Sequence, residues 1–160
     1  MLQDAQFFIT KTAIDAKIND LFAVLKNKIE AVNGSAAGFP PELSASPGRM
    51  HRGEHLGPLP WRALDCPRAF SGQDIFVFRT LLIWGREFSF HLLLGGKWMA
   101  SLGPLLDRGD LAADGWRLSR QESPWDWTLD NQSHLPMADL SPGDWQANLQ
   151  GSNWLKLSQS

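Results

Sequence analysis

The chain has 160 residues, of which 43% are hydrophobic and 20% charged, and its formal net charge is −2. A chain of this length buries about 70% of its unfolded surface as one domain and is too short for two ordinary domains. We therefore expect a single globular domain over residues 1–160. Binding to nucleic acid or to an anionic membrane needs clustered lysine and arginine, so the near-neutral charge disfavours both partners.

The lone cysteine, Cys66, excludes an intrachain disulfide framework and any metal site with several cysteine ligands. The N-terminal residues lack the basic start and apolar run of a signal peptide. No apolar stretch reaches the roughly 20 residues that span a bilayer. These features predict a cytoplasmic protein that does not cross a membrane.

A long amphipathic helix is the first predicted element. Apolar residues recur at spacings of three and four between Lys11 and Val32, which predicts a helix over residues 11–32. Asn33-Gly34 is a typical helix stop. The apolar stripe should pack on one face of a sheet, and it comprises Ile14, Ile18, Leu21, Phe22, Leu25, Ile29 and Val32.

Residues 33–60 are rich in glycine and proline, which predicts a long irregular connection. Its second half, residues 49–57, reads as a basic, glycine-rich loop, and such loops often carry binding sites. His51, Glu54 and His55 fit the H-x-x-E-H pattern of inverted zinc peptidases. Gly53 lies inside this pattern and disfavours the helix that the motif requires. We predict no cofactor, with zinc on His51 and His55 as a weaker alternative.

The strongest pattern in the chain, Asp74 to Leu94, predicts a β-hairpin. A three-residue loop at residues 85–87 would place Trp84 opposite Phe88 and all even-numbered residues on one core face. The other face is also apolar, yet it carries Arg79, Ser89 and His91.

Arg79 on a covered face needs a carboxylate partner, because an unpaired buried guanidinium is strongly destabilising. Glu54 and Asp65 are the candidates, since both belong to the segment that leads into the adjacent strand. One outcome is a closed ion pair that pins the connection. The other is an open pocket in which Arg79 and Arg52 hold a small anionic ligand and His91 transfers or senses a proton. The candidate pocket residues are Arg52, Glu54, Asp65, Arg79 and His91.

An enzyme, hydrolytic or metal-dependent, would use the 49–57 loop with Asp65, Cys66 or His91. Cys66 would act as a nucleophile only beside a base such as His51, His55 or His91. A buried, inert thiol is the commoner state of such a cysteine, and we expect it here.

A set of short motifs extends over the central third of the chain, and a helix like residues 11–32 precedes it. The motifs are Arg52-Gly53-Glu54, Gly57 to Pro60, Asp65 to Phe70, Arg79-Thr80, Trp84-Gly85 and Phe88-Ser89. In this pattern the chain resembles a group of uncharacterised bacterial proteins. The resemblance implies a bacterial origin and a shared fold, and it names no reaction. His51 and His55 are not signature positions of that pattern.

The C-terminal half is rich in turns and tryptophan. We expect its rings to fix this half onto the sheet, and the alternative is a stacking platform for sugars or bases. Asn153 to Ser158 predicts a last strand. The five tryptophans are Trp116, Trp125, Trp127, Trp145 and Trp154.

These elements predict an α+β fold: an antiparallel sheet of about five strands within residues 61–160, with the long N-terminal helix on one face and a Trp-rich, loop-rich C-terminal half. We expect a small binding or interaction domain without catalysis, because no known catalytic constellation can be assembled from the residues. Its partner would be a small anionic ligand or a protein. The alternatives are the enzyme above and an assembly subunit, including a homodimer, with a Trp-rich interface.

Overall fold

The computed structural model describes residues 5–35 and 38–160. One antiparallel sheet contains seven strands: β1 (Arg49–Leu56), β2 (Leu59–Ser71), β3 (Asp74–Ile83), β4 (Phe88–Gly95), β5 (Arg117–Ser119), β6 (His134–Pro136) and β7 (Trp154–Gln159). Across the sheet the strands lie in the order β1-β2-β3-β4-β7-β5-β6. The helices are α1 (Ala5–Ser35), α2 (Pro41–Ser44), α3 (Lys97–Leu102), α4 (Arg108–Ala113) and α5 (Pro142–Gly151), with 3-10 turns at Gly103–Leu105 and Met137–Asp139.

The α+β class and the antiparallel sheet are confirmed, but the predicted strand number was wrong, because the sheet has seven strands rather than about five. One additional strand, β6, has only three residues. The other, β1, lies within the predicted loop 49–57, so the sheet begins well before residue 61. Its glycine has a packing role: a Cβ at Gly53 would come within 2.5 Å of Trp61 Nε1 on the neighbouring strand. As an edge strand, β1 also tolerates the charged side chains that suggested a loop.

The predicted connection 33–60 is described only in part, since residues 36 and 37 lie outside the described residues. Its described portion contains the end of α1, helix α2, strand β1 and the first residues of β2. Residues 1–4, on which part of the expectation about the N-terminus rests, also lie outside. None of the helices in residues 5–35 and 38–160 combines the length and the apolar content required to cross a bilayer.

Helix α1 extends beyond the predicted limits 11–32 and continues through Asn33-Gly34. Its contact with the sheet is made by Ile18 and Phe22, which are buried against Leu64 of β2. The Phe22 ring lies 6.4 Å from the ring of Phe88 on β4. The predicted stripe is wider than the buried contact, because other apolar residues of α1 remain exposed.

The β3-β4 hairpin is present, but its register differs by two residues from the predicted one. Leu82, not Trp84, lies opposite Phe88. The Trp84 N–H donates to the carbonyl of Pro60 at 3.0 Å, so Trp84 bonds to strand β2 rather than to β4. Because the shift is even, the predicted division of the hairpin side chains between two faces is retained.

The two faces of the sheet have different characters. The helix face, which α1 partly covers, includes Leu64, Phe78 and Leu82. The polar face carries a row of ionisable and hydroxyl groups among apolar side chains, and the irregular segment 120–133 packs against it through Trp127. Its polar members include Asp65, Arg79, Ser89, His91, Lys156 and Ser158.

The C-terminal half forms much of the core beside the helix face. Trp98, Met137 and Trp145 are buried there with the apolar residues of β4 and β7. Of the five C-terminal tryptophans, Trp127 and Trp145 are buried, Trp116 and Trp154 are half-buried, and Trp125 is 49% exposed. Four of these rings therefore pack in or against the core clusters, whereas Trp125 leaves about half of its surface to solvent.

Candidate functional site

A row of polar side chains crosses four strands on the polar face. The strand registers place Asp65 opposite Arg79, Arg79 opposite His91, and His91 opposite Ser158. Facing residues of neighbouring strands have side chains on the same side of a sheet, so residues far apart in sequence become neighbours here. This row is the centre of the site predicted from the sequence.

Arg79 and Asp65 form a closed, bidentate ion pair. Arg79 donates from Nε to Asp65 Oδ1 at 2.6 Å and from its second guanidinium nitrogen to Oδ2 at 2.8 Å. Asp65 is 1% exposed, and the Trp127 ring lies 4.0 Å from the guanidinium carbon. The carboxylate expected beside Arg79 is thus Asp65, and the arrangement is a closed pair rather than an open anion pocket.

His91 lies between two serine hydroxyls and is inaccessible to solvent. Ser89 Oγ is 2.9 Å from Nε2, and Ser158 Oγ is 2.9 Å from Nδ1. Burial, together with the nearby charges of Lys156 and Arg79, lowers the pKa of His91 to about 3. A neutral imidazole suits this position, since one ring nitrogen donates to a serine and the other accepts. An imidazole that stays neutral at neutral pH and has no access to solvent is poorly suited to move a substrate proton.

Lys156 also lies on this face, and sequence reasoning missed it, because a lysine that alternates with Leu155 and Leu157 has the pattern of a solvent-facing strand residue. The residue is completely buried, and its Nζ donates to Gln121 Oε1 and to the carbonyls of Pro124 and Asp126. Burial lowers its pKa to about 8. These bonds attach the segment that carries Trp127 to strand β7.

The other predicted pocket residues are not brought to this row. Arg52 is exposed. In the strand register it lies opposite Arg62, and Arg62 lies opposite Leu82 on the helix face, so Arg52 and Arg79 lie on opposite faces of the sheet. Glu54 is exposed on β1.

The two histidines of the weak zinc pattern lie on strand β1 rather than on a helix. His51 Nε2 is 3.1 Å from Asp65 Oδ2 without a hydrogen bond between them, and His55 is exposed. Burial lowers the pKa of His51, Asp65 partly opposes this, and the charges of Arg79, Arg49 and Arg68 add to the lowering. Across residues 5–35 and 38–160, no group of three or more His, Cys, Asp or Glu side chains could hold a metal ion.

Cys66 lies on the helix side of the sheet, packed with Ile18 and Phe22 of α1. It is 1% exposed, and burial, with a contribution from Glu30, raises the pKa of its thiol to about 11. The thiol is therefore protonated near neutral pH, as expected for a buried, inert cysteine.

An apolar cleft lies between the C-terminal half of α1 and the helix face of the sheet, with a volume of about 370 Å³. Sequence reasoning assigned its apolar α1 and β3 residues, Ile29, Val32, Phe76 and Phe78, to the core. Whether two apolar surfaces meet or leave a gap depends on the distance between elements, for which the sequence pattern carries no signal. The cleft is lined by Lys28, Ile29, Val32, Asn33, Phe39, Pro67, Phe76 and Phe78.

Comparison of the chain with protein-family models, with curated proteins and with solved structures finds no match in any of the three. The resemblance of the central third to a bacterial group accordingly stays a prediction.

Proposed function

We propose that this protein is a non-catalytic binding domain that takes up a small ligand with an apolar body and one anionic group. The ligand would occupy the cleft between α1 and the helix face. The observation that carries the proposal is the lining of this cleft, which is apolar except for Lys28 and Asn33.

The size and chemistry of the cleft support this proposal. Ligand pockets usually have volumes of about 300–1,000 Å³ and combine an apolar lining with a few polar groups, and this cleft has about 370 Å³. Phe76 and Phe78 supply ring surface from β3, and Ile29 and Val32 face them from α1. The exposed Lys28 ammonium has no ion-pair partner among the described residues, so it is free to bind an anionic group.

We infer that the protein is non-catalytic because the side chains that could do chemistry are paired, buried or protonated. Asp65 and Arg79 satisfy each other, His91 is a buried neutral ring, and the Cys66 thiol stays protonated on the other side of the sheet. None of these groups reaches the apolar cleft.

Isothermal titration calorimetry with decanoate, which measures the binding affinity, tests the proposal. We expect saturable binding to the wild-type protein and its loss in Val32→Glu, which places a carboxylate at the cleft without disturbing the fold, because Val32 is 63% exposed. Lys28→Gln should weaken decanoate binding about tenfold through loss of one charge-assisted contact. The uncharged analogue decanol should bind the wild-type protein and Lys28→Gln equally.

Lys17→Gln is the matched control, since Lys17 is exposed on the same helix and does not line the cleft. It should bind decanoate as the wild-type protein does. Decanoate binding that is absent from the wild type, or unchanged in Val32→Glu, would contradict the proposed function.

A second candidate function, that of an assembly subunit, is favoured by exposed large apolar residues along α1. Exposed apolar surface of this kind commonly marks a protein interface. We therefore expect self-association, which Leu21→Glu combined with Val24→Glu should abolish in light-scattering measurements. A monomer at every concentration would exclude the homodimer. The exposed residues that do not line the cleft include Ile9, Ile14, Leu21 and Val24.

A further inference from the structure

A second cleft, of about 580 Å³, lies where the β2-β3 turn and helix α3 approach the end of α5 and the start of β7. It shares no lining residue with the apolar cleft of the proposed function. The side chains that give this cleft its chemistry are two indoles and a set of uncharged polar groups: Gln73, Trp125, Gln150, Ser152, Asn153 and Trp154.

No cation lines the cleft. None of the described residues that line it is Asp, Glu, Lys, Arg or His, and the nearby Asp74 carboxylate, behind Gly96, accepts a hydrogen bond from the Lys97 N–H. A phosphate or carboxylate entering the cleft would lose hydration without meeting a cation, which is unfavourable. The cleft therefore favours a neutral ligand.

One indole is both exposed and held in position. Trp125 is 49% exposed, yet its ring lies 6.1 Å from the Phe70 ring and 6.4 Å from the Trp127 ring. Trp127 in turn is fixed beneath it by contact with Arg79 and His91. An exposed ring that is already ordered loses little conformational entropy when a ligand stacks on it.

The amides that surround the rings are available to a ligand. Gln73, Gln150 and Asn153 are exposed, and none of their side-chain amides bonds to another described residue. Each amide offers two donors and one acceptor. At the floor, Gly96 has φ 54°, and a Cβ there would come within 2.3 Å of Asp74 Oδ1 and 2.8 Å of the Gln73 carbonyl oxygen, so only glycine fits and no side chain fills the space.

We propose that this cleft binds a neutral sugar, with room for two linked pyranose rings. The C–H face of a pyranose is apolar and packs on an indole ring, while its hydroxyls exchange hydrogen bonds with amides. The fixed, exposed indole of Trp125 suits the apolar face of the sugar, and the free amides suit its hydroxyls.

NMR titration with cellobiose and with maltose tests the proposal on the intact chain. The indole N–H signals of Trp125 and Trp154 should shift saturably with at least one of the two sugars, while that of Trp98, which is buried in the core, stays fixed. Trp125→Ala should weaken binding about tenfold, as expected when an exposed aromatic contact is lost. Gln150→Ala should weaken it about fivefold through the loss of amide hydrogen bonds.

Gln146→Ala is the matched control, because Gln146 is exposed on the same helix, one turn earlier, and does not line this cleft. It should leave the affinity unchanged. Adenosine serves as a neutral ligand with a flat ring. Binding of adenosine without either sugar, equal effects of the two glutamine variants, or no saturable shift with either sugar would overturn the sugar site. Decanoate binding to the apolar cleft is independent of all these results.

Discussion

Replacement of Asp65 by asparagine is expected to lower the free energy of unfolding by about 3–5 kcal/mol, because removing one partner of a buried ion pair leaves the other charge uncompensated. Asp65 accepts both hydrogen bonds from the Arg79 guanidinium, and Trp127 covers the pair. Urea denaturation followed by circular dichroism measures the loss. Combining Asp65→Asn with Arg79→Met should cost less than the sum of the two single changes, since the residues act as one unit.

Glu54→Gln is the control for this experiment. Glu54 was the other carboxylate that the sequence offered to Arg79, and it is exposed on edge strand β1. Its replacement should change the stability by no more than about 0.5 kcal/mol. Equal effects of Asp65→Asn and Glu54→Gln would show that the pair does not pin the sheet.

His91 predicts a marked loss of stability in mild acid. In the unfolded chain a histidine protonates near pH 6.5, whereas burial and the charges of Lys156 and Arg79 lower the pKa of His91 to about 3 in the folded protein. Between these values the unfolded state binds more protons, so the free energy of unfolding falls as the pH falls. From pH 6.5 to about pH 4.5, His91 should contribute a loss of about 2–3 kcal/mol.

Urea titrations across this pH range, repeated on His91→Gln, measure the contribution as a difference between two curves. The difference is needed because the pKa values of His51 and His134 are also lowered by burial, so both add to the acid dependence of the wild type. His55→Gln, at an exposed position on β1, should keep the wild-type slope. Parallel curves for the wild type and His91→Gln would contradict the assignment of His91 as a buried neutral ring.

The fold elements that were predicted correctly are those with a strong local period. The alternation from Asp74 to Leu94 divides its side chains between two faces whether the turn has three residues or five, so the error in register left the faces intact. Strand β1 was missed for the opposite reason. An edge strand is held by backbone hydrogen bonds on one side only, and its side chains need not alternate.

The candidate site also has one part that the sequence predicts and one part that it does not. The Arg79–Asp65 pair was predictable, because a guanidinium on a covered strand requires a nearby acid and few acids were available in the adjacent segment. The two clefts were not predictable. Gln73 and Gln150, for example, lie at the ends of different elements, and only the packing of α3 and α5 beside the β2-β3 turn brings them to one cavity.

The central claim is that the apolar cleft between α1 and the sheet holds the ligand, and intermolecular nuclear Overhauser effects test it most directly. A complex of decanoate with methyl-labelled protein should show effects between the ligand chain and the methyl groups of Ile29 and Val32, which line the cleft. Leu105, which is 75% exposed and lies outside the cleft, should show none. Effects confined to methyl groups outside the cleft, with none to Ile29 or Val32 at saturating ligand, would contradict the account.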